Sequence, residues 1–537
     1  MTNFTKKVGC GVLAACMAVN LLAASGCKKL QEVDNTVEDT TDLWIYVQSL
    51  GYDSEFLYAL EEEFEKRNEG VDVHVTDTPL AQVISNQLSL GPQYDDYDLY
   101  FQMASGRAVQ NTYKNKWKDY PEGLQDLTYI FEKTIPGEDV TLGEKMIDSY
   151  YKYTNCGTEE EPKHYSISFA MGTIGMNYNI DVMKEIFGDG YEEYLPLTSD
   201  HFLEVCETIK NKPGDYTPLT YPALIDHMQY ALFHLWWAQY EGIENYERFF
   251  KAEAYDEVSG VYLSPSKKIY NQQGRLESLK AMASLMDADK GYVDEMALDY
   301  NETNFRSLQT RFLEKSLGYV FYPCGDWLEQ ESAVEGSSEF GRMKSPVISS
   351  IIDRLPTVDN DTELREIIRY VDGTSETINP KYSEEDIEEV RKARNMVYGA
   401  HGFDHAIIMP QYSNAKALAE KFLLFMASDD GIRIFKENCA GGFLPFEFDY
   451  SEMENLSTFE KTVAEQIKDA TVVGNLLISQ LALTGIPYVM QPTIGTLDTL
   501  FTSKKSSKFY RTAEEVYELM TPSDAEWQSA LMAAGMA

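Results

Sequence analysis

Apolar residues recur along this chain in two rhythms, and their alternation outlines its elements. Leu43-Trp44-Ile45-Tyr46-Val47 is an unbroken apolar run, the pattern of a strand buried on both faces. Beyond Ser54, the apolar positions Phe56, Leu57, Leu60 and Phe64 follow the helical period, with Gly70 just past the end. This predicts a Ser54-capped helix through about Asn68. Val71, Val73 and Val75 then alternate with polar residues, which predicts a strand. Residues 96–103, DYDLYFQM, read as another. Strand, helix and strand in this order argue an α/β fold with a parallel sheet.

The rhythm continues downstream. Phe202, Val205, Cys206 and Ile209 fall at helical spacing after Ser199, the expected cap. Residues 226–242, DHMQYALFHLWWAQYEG, predict a long and unusually aromatic helix. Residues 316–331, SLGYVFYPCGDWLEQE, read as strand, tight turn and helix. Residues 401–428 read as strand, loop and a Ser413-capped helix. No internal repeat or low-complexity tract interrupts them.

The N-terminus has a different design. Lys6 and Lys7 precede an apolar stretch of about 14 residues, too short for a spanning helix and the size of a signal-peptide core. Ala24, Ser25 and Gly26 then lead to Cys27. This resembles the lipobox of bacterial lipoproteins, with Ala24 where Leu is more usual. The resemblance implies that residues 1–26 are a signal peptide and that Cys27 becomes the lipidated first residue. Each buried CH₂ of the lipid adds about 0.8 kcal/mol of membrane affinity. The other reading is an ordinary secretory peptide with an incidental Cys27. Residues 27–42 are polar, acidic and without large aromatics until the first strand, as a flexible tether would be.

Composition narrows the partners. The chain has 537 residues and a net charge of −41, and loss of the leader removes two lysines and no acid. Such a surface repels nucleic acid and anionic lipid head groups. A 44% hydrophobic content suffices for substantial cores, and the length suits two lobes. No later run is long enough to span a membrane. Cys156, Cys206, Cys324 and Cys439 remain after the leader and lipid site. None has metal-type C-x-x-C spacing. Two disulfides can form outside the cytoplasm, although scattered thiols in a large domain are more often unpaired.

Several segments carry a family resemblance: FEKRNEGVDVHV, YDDYDLYF, SFAMGTIGMNYNIDVMKEIFG, PLTSDHFLEVCETIK, GYVFYPCGDWLEQE, and SNAKALAEKFLLFMAS followed by GGFLP. In order and spacing they resemble the extracellular solute-binding lipoproteins of ABC importers, the maltose- and oligosaccharide-binding family. The resemblance covers most of residues 42–450, and the last ninety residues match only in being helical. It implies a two-lobed periplasmic-binding-protein type II fold with a ligand cleft between lobes. Lobe one would comprise 42–170 and 335–430, lobe two 171–334 and 431–520, with 521–537 a C-terminal segment. It further implies a monomeric, non-catalytic receptor without a cofactor. Its partners would be a carbohydrate, the importer's membrane subunits and, through Cys27, the membrane.

A sugar presents apolar C–H faces and a ring of hydroxyls, so its site needs flat aromatics rimmed by polar groups. Trp327 follows Gly325-Asp326 in the turn that resembles the family's binding turn, with Tyr322 just before. Asp326 can bond a hydroxyl or cap the helix that starts there. Tyr46 and Gln48 lie where the first strand ends, the usual ligand edge of a parallel sheet; Asp77, Thr78, Ser105 and Gly106 share that edge argument. Tyr221 and Asp226 precede the aromatic helix, and Asp404 lies in the loop after His401. Adjacent Trp236 and Trp237 must point to different helix sides, and both suit the core. For each aromatic, the plain alternative is core packing.

Other chemistry finds less support. His401 and His405 are four apart like the ligands of a zinc-protease helix, but Gly402 replaces the catalytic Glu and the next residues read as strand. In a strand, such positions lie roughly 13 Å apart and cannot share a metal. Residues 287–295, DADKGYVDE, depart from a calcium loop in the place of Gly291 and in Leu298 at position twelve. Two other function classes stay open: a surface glycan-active enzyme, which needs paired catalytic carboxylates, and a sensor or adhesin of the same fold.

Overall fold

Strand β1 (Asp42–Gln48) buries Leu43, Ile45 and Val47 on one face. Helix α1 (Glu55–Arg67) covers that face with Phe56, Leu57, Leu60 and Phe64, each worth about 1.5–3 kcal/mol on burial. β2 (Asp72–Thr78), helix α2 (Ala81–Leu90), β3 (Leu99–Met103) and helix α3 (Gly106–Tyr113) follow. The computed structural model describes residues 40–537 except 50, 159, 222–225, 299–303, 333–336, 400–404, 475, 477–496, 501–507 and 537. The expected leader, Cys27 and the tether through residue 39 therefore lie outside the described residues. Among those described, no helix is long and apolar enough to cross a membrane.

Sheet one has the order β2-β1-β3-β12-β4. β2, β1 and β3 are parallel. β4 (Ile167–Ser168) and β12 (His405–Ile408) run antiparallel to their neighbours. Helix α4 (Asp148–Thr154) leads into β4, and Tyr150 at its centre is fully buried. The chain then crosses to sheet two, whose order is β13-β11-β5-β9-β6 with β10 also on β5. These strands are β5 (Thr173–Asn179), β6 (Thr217–Leu219), β9 (Tyr319–Gly325), β10 (Phe340–Arg342), β11 (Met396–Gly399) and β13 (Thr471–Val473). β7 (Ala254–Asp256) and β8 (Val261–Leu263) form a separate hairpin. One apolar core runs continuously from Leu43 to Val320 and beyond.

Helices α5 (Ser199–Lys210) and α6 (Asp226–Glu241) pack on sheet two, and α7 (Gln273–Leu285) packs on α6. Trp236 and Trp237 in α6 are both buried; their indole N–H groups reach Pro346 O and Gln272 Oε1. After the short helix α8 (Leu328–Glu331) come α9 (Asp361–Val371), α10 (Glu384–Arg394), α11 (Lys416–Met426), α12 (Asp429–Glu437) and α13 (Thr458–Ile467). Helices α14 (Ala513–Leu519) and α15 (Asp524–Ala533) close the chain. They dock through Trp527 against Tyr270 and through Arg275, which donates to Met520 O at 3.0 Å.

Sheet two gathers strands from both sets of expected lobe segments. β10 and β11, expected in lobe one, pair in sheet two: Arg342 faces Asn177 and Tyr398 faces Ile174. Helix α12, which straddles the expected boundary at residue 430, packs on α1, with Phe435 against Phe56 and Arg67 paired to Asp430. Local periodicity identifies an element but not the distant edge on which it lands.

Three helix starts also differ. Ser54 precedes α1 with ψ −1° and caps nothing, because Asp53 at φ 61° turns the chain out of the extended geometry a cap needs. Thr198, not Ser199, caps α5 by accepting from His201 N. Ser199 instead pairs its hydroxyl with Ser349. Ser413 lies two residues before the N-cap position of α11, Ala415, and its hydroxyl accepts from Ala415 N at 3.2 Å while donating to the buried Asp98 at 2.7 Å. Cys156, Cys206, Cys324 and Cys439 are all unbridged.

Candidate functional site

The chain crosses between the sheets after Ser168 and again between Gly399 and His405. Around those crossings lie the carboxyl ends of β1, β3 and β9, because β12 begins opposite Met103 and β5 begins beside Gly325 and Gly399. This seam between the two sheets is where an open α/β sheet exposes its strand ends to ligand.

Sheet one contributes the residues after β1. Gln48 is buried and accepts from Met103 N at 3.2 Å. Gly51 (φ 82°) and Asp53 (φ 61°) both adopt left-handed backbone, which swings Tyr52 across the seam. The Tyr52 hydroxyl donates to Asp326 Oδ1. The other carboxylate oxygen accepts from Thr173 N at 3.0 Å and Thr173 Oγ1 at 3.1 Å. Arg342 completes the network: it donates to Thr173 O, Asn177 Oδ1 and Cys324 O at 3.0, 3.0 and 2.9 Å.

This network is sealed from water. Burial pushes the Asp326 carboxyl up, against the charge of Arg342 and the bonds from Tyr52 and Thr173. Burial likewise holds the Tyr52 phenol well above its ordinary value and lowers Arg342. Asp326 thus spends both oxygens on joining the post-β1 loop to the first residue of β5. It does not cap α8, whose N-terminal position is Trp327 itself.

Trp327 lies edge-on to Tyr52 at 6.3 Å between ring centroids and is 8% exposed. Its ring covers Gly325, where a Cβ would come within 2.2 Å of it. This is the physical reason for glycine in the Gly-Asp-Trp turn. Gly441 (φ 74°) backs the turn from behind, with its Cβ position 2.0 Å from Asp326 O. Gly441→Ala is expected to destabilise the fold by more than about 1 kcal/mol, since strain adds to the clash. A denaturant midpoint equal to wild type would show the turn free to shift.

The remaining expected residues are more scattered. Tyr322 is fully buried in β9, 5.4 Å from Phe312. Tyr221 is fully buried two residues past β6. Tyr46 stacks on Tyr97 at 4.7 Å in a separate apolar cluster behind sheet one. Exposed Asp77 accepts from Tyr58 at 3.3 Å, and Ser105 caps α3. Asp226 begins α6, but its side chain, like Asp404 and His401, lies outside what is described. Tyr52, Thr173 and Arg342 are the seam residues that sequence reasoning missed. Only Gly51-Tyr52-Asp53, a turn at the end of β1, carried a readable signal. A separate cavity of about 1180 Å³, lined by Lys152, Tyr153, Glu247, Phe446 and Thr471 among others, contains none of the expected residues.

No protein-family model matches the chain, and no curated protein sequence does. Solved structures do. A structure described as a probable secreted solute-binding lipoprotein from Streptomyces coelicolor matches 90% of this chain and 98% of its own, at 15% identity and TM-score 0.54. An ABC substrate-binding protein from Listeria monocytogenes, in complex with cycloalternan, matches over 93% and 100% at 12% identity and TM-score 0.53. A Streptococcus pneumoniae solute-binding protein, in complex with the blood group A-trisaccharide, matches over 89% and 98% at 14% identity and TM-score 0.51. At such identities the likeness is one of architecture. The chain has the two-lobed α/β fold of extracellular solute-binding proteins.

Proposed function

We propose that this chain is the substrate receptor of an ABC importer, held at the membrane by a lipid on Cys27, and that it captures a carbohydrate. The observation that carries this reading is Trp327 at the carboxyl edge of sheet two, directly against Tyr52 of sheet one. Two structures of the same fold hold saccharides, and an aromatic face is what a sugar's C–H surface packs on. Capture would proceed by closure of the two lobes over the sugar, a hinge motion that periplasmic binding proteins exemplify. The sugar would pass intact to the membrane subunits. With Asp326 committed to Tyr52 and Thr173, the seam offers a platform and not an acid–base pair at this turn.

The test is a thermal-shift panel on purified mature protein with mono- and oligosaccharides, amino acids and peptides. A ligand at a hundred times its Kd stabilises the folded state by about 2.7 kcal/mol. A shift with one glycan family, the glycan recovered uncut, is expected. A shift with peptides or amino acids alone, or cleavage of the glycan, would overturn the reading. Metabolic labelling with a radioactive fatty acid, lost in Cys27→Ala, checks the anchor.

A further inference from the structure

Two residues beyond Trp327, in α8, Glu329 joins a buried cluster of charge. Its Oε2 is closed off from solvent and has no hydrogen-bond partner among the described residues. Lys436 of α12, whose side chain is fully buried, forms an ion pair with Glu460 of α13 and donates to Cys439 O at 2.8 Å. Glu460 also accepts from Gly441 N at 3.0 Å and Ser457 N at 2.9 Å. Around Glu329, then, stand Glu460 of α13, Ser457 at the N-cap of that helix, and Lys436 of α12. One ammonium cannot neutralise two carboxylates, and an uncompensated buried charge is costly. The cluster balances when one carboxyl holds a proton. Lys436 and two backbone N–H groups all donate to Glu460 and favour its ionised form, whereas Glu329 Oε2 receives no donor among the described residues, so the proton belongs on Glu329.

The cluster also touches the seam. A Cβ at Gly441 would lie 3.4 Å from Glu329 Cβ and 2.0 Å from Asp326 O, so this loop is wedged between the charge cluster and the Trp327 turn. We propose that Glu329 is a positioning residue for Trp327 that works as a neutral acid. Protonated, it lets α8 seat against the Cys439–Gly442 loop; ionised, it is repelled by Glu460 and draws the turn, with Trp327, out of place. This rests on the reading that Trp327 receives the sugar and adds a proton dependence to it.

Burial, reinforced by the Glu460 charge, pushes Glu329 up to about 7. A carboxyl raised in the folded state adds stability that is complete below its unfolded value and is lost as pH rises through the folded value. The window therefore runs from the ordinary carboxylate range up to about pH 7, with the loss on the alkaline side.

The experiment follows near-ultraviolet circular dichroism and thermal melting of the mature protein from pH 5.5 to 8.5. Wild type is expected to show an aromatic step near pH 7 and a melting temperature that falls from pH 5.5 to about pH 7 and levels off above it. Glu329→Gln is expected to melt closer to wild type at pH 5.5 than at pH 8.5, where it melts well above it, and to lack the step. Glu460→Gln is expected to move the step to lower pH. A Glu329→Gln shift of equal size at every pH, with the step retained, would reduce Glu329 to packing and overturn the proposal. Titration with raffinose and cycloalternan at both pH values separates the two readings. Wild-type affinity is expected to fall about tenfold at pH 8.5, with Glu329→Gln indifferent to pH. If neither sugar nor any panel member binds while the Glu329-dependent step persists, the carbohydrate reading fails and the proton-controlled turn stands. Equal pH dependence in both proteins would sink the proposal and spare the sugar.

Discussion

Arg342→Ala is expected to lower folding stability by about 3–5 kcal/mol, the cost of removing one partner from a buried charged network. The Arg342 guanidinium is 2% exposed and serves Thr173, Asn177 and Cys324 together. Its loss takes a donor from the Asn177 amide oxygen and from the carbonyls of Cys324 and Thr173, the last of which keeps only Asp326 N, and leaves Asp326 without the Arg342 charge. The check is urea unfolding, with a lowered midpoint and an unchanged slope. Arg342→Lys is expected to recover little, because a single ammonium cannot span three acceptors that a planar fork reaches at once. Adding Asp326→Asn to Arg342→Ala should recover part of the loss, since the second change removes the stranded charge. Strict additivity of the two would mean that Arg342 and Asp326 do not communicate.

Trp327→Ala carries the second large effect, on two observables. Deleting this indole from its place over Gly325 and Tyr52 is expected to cost about 3 kcal/mol of stability. It is also expected to abolish the sugar-induced thermal shift. The two losses separate in Trp327→Phe, which keeps a flat ring against Tyr52. That variant is expected to fold with a much smaller penalty and to bind sugar about tenfold more weakly, the consequence of about 1.4 kcal/mol. Unaltered sugar affinity in Trp327→Phe and in Tyr52→Phe alike would move the site away from this turn.

What could be read from the sequence was whatever depends on neighbours a few residues away. The buried stripe of Phe56, Leu57, Leu60 and Phe64 announces α1, and the alternation at Val71, Val73 and Val75 announces β2, because each pattern is complete within its own segment. The Gly325-Asp326-Trp327 turn was legible for the same reason. Roles set by distant partners were not. Ser413 looks like a helix cap, yet its hydroxyl serves Asp98, 315 residues away in sequence. Asp326 looks like a cap or a sugar acceptor until Tyr52 and Thr173 claim it. Arg342 lay in an unremarked strand, and its function exists only because β10 pairs with β5. The same distance explains the sheet membership of β10 and β11, which no local signal encodes.

Sheet one has a consequence for how the polypeptide becomes a protein. Among the described residues β4 pairs only with β12, and β12 is also the partner that β3 needs on its open side. Residues 42–168 therefore hold a sheet with its fourth strand, the one between β3 and β4, missing until His405–Ile408 arrives. A chain that emerges N-terminus first, from a ribosome or through a secretion pore, cannot close this sheet early. Such non-local pairing folds slowly, and here the slowness has a direction. The leading third of the chain stays unfinished, and so threadable, until three quarters of the polypeptide has passed.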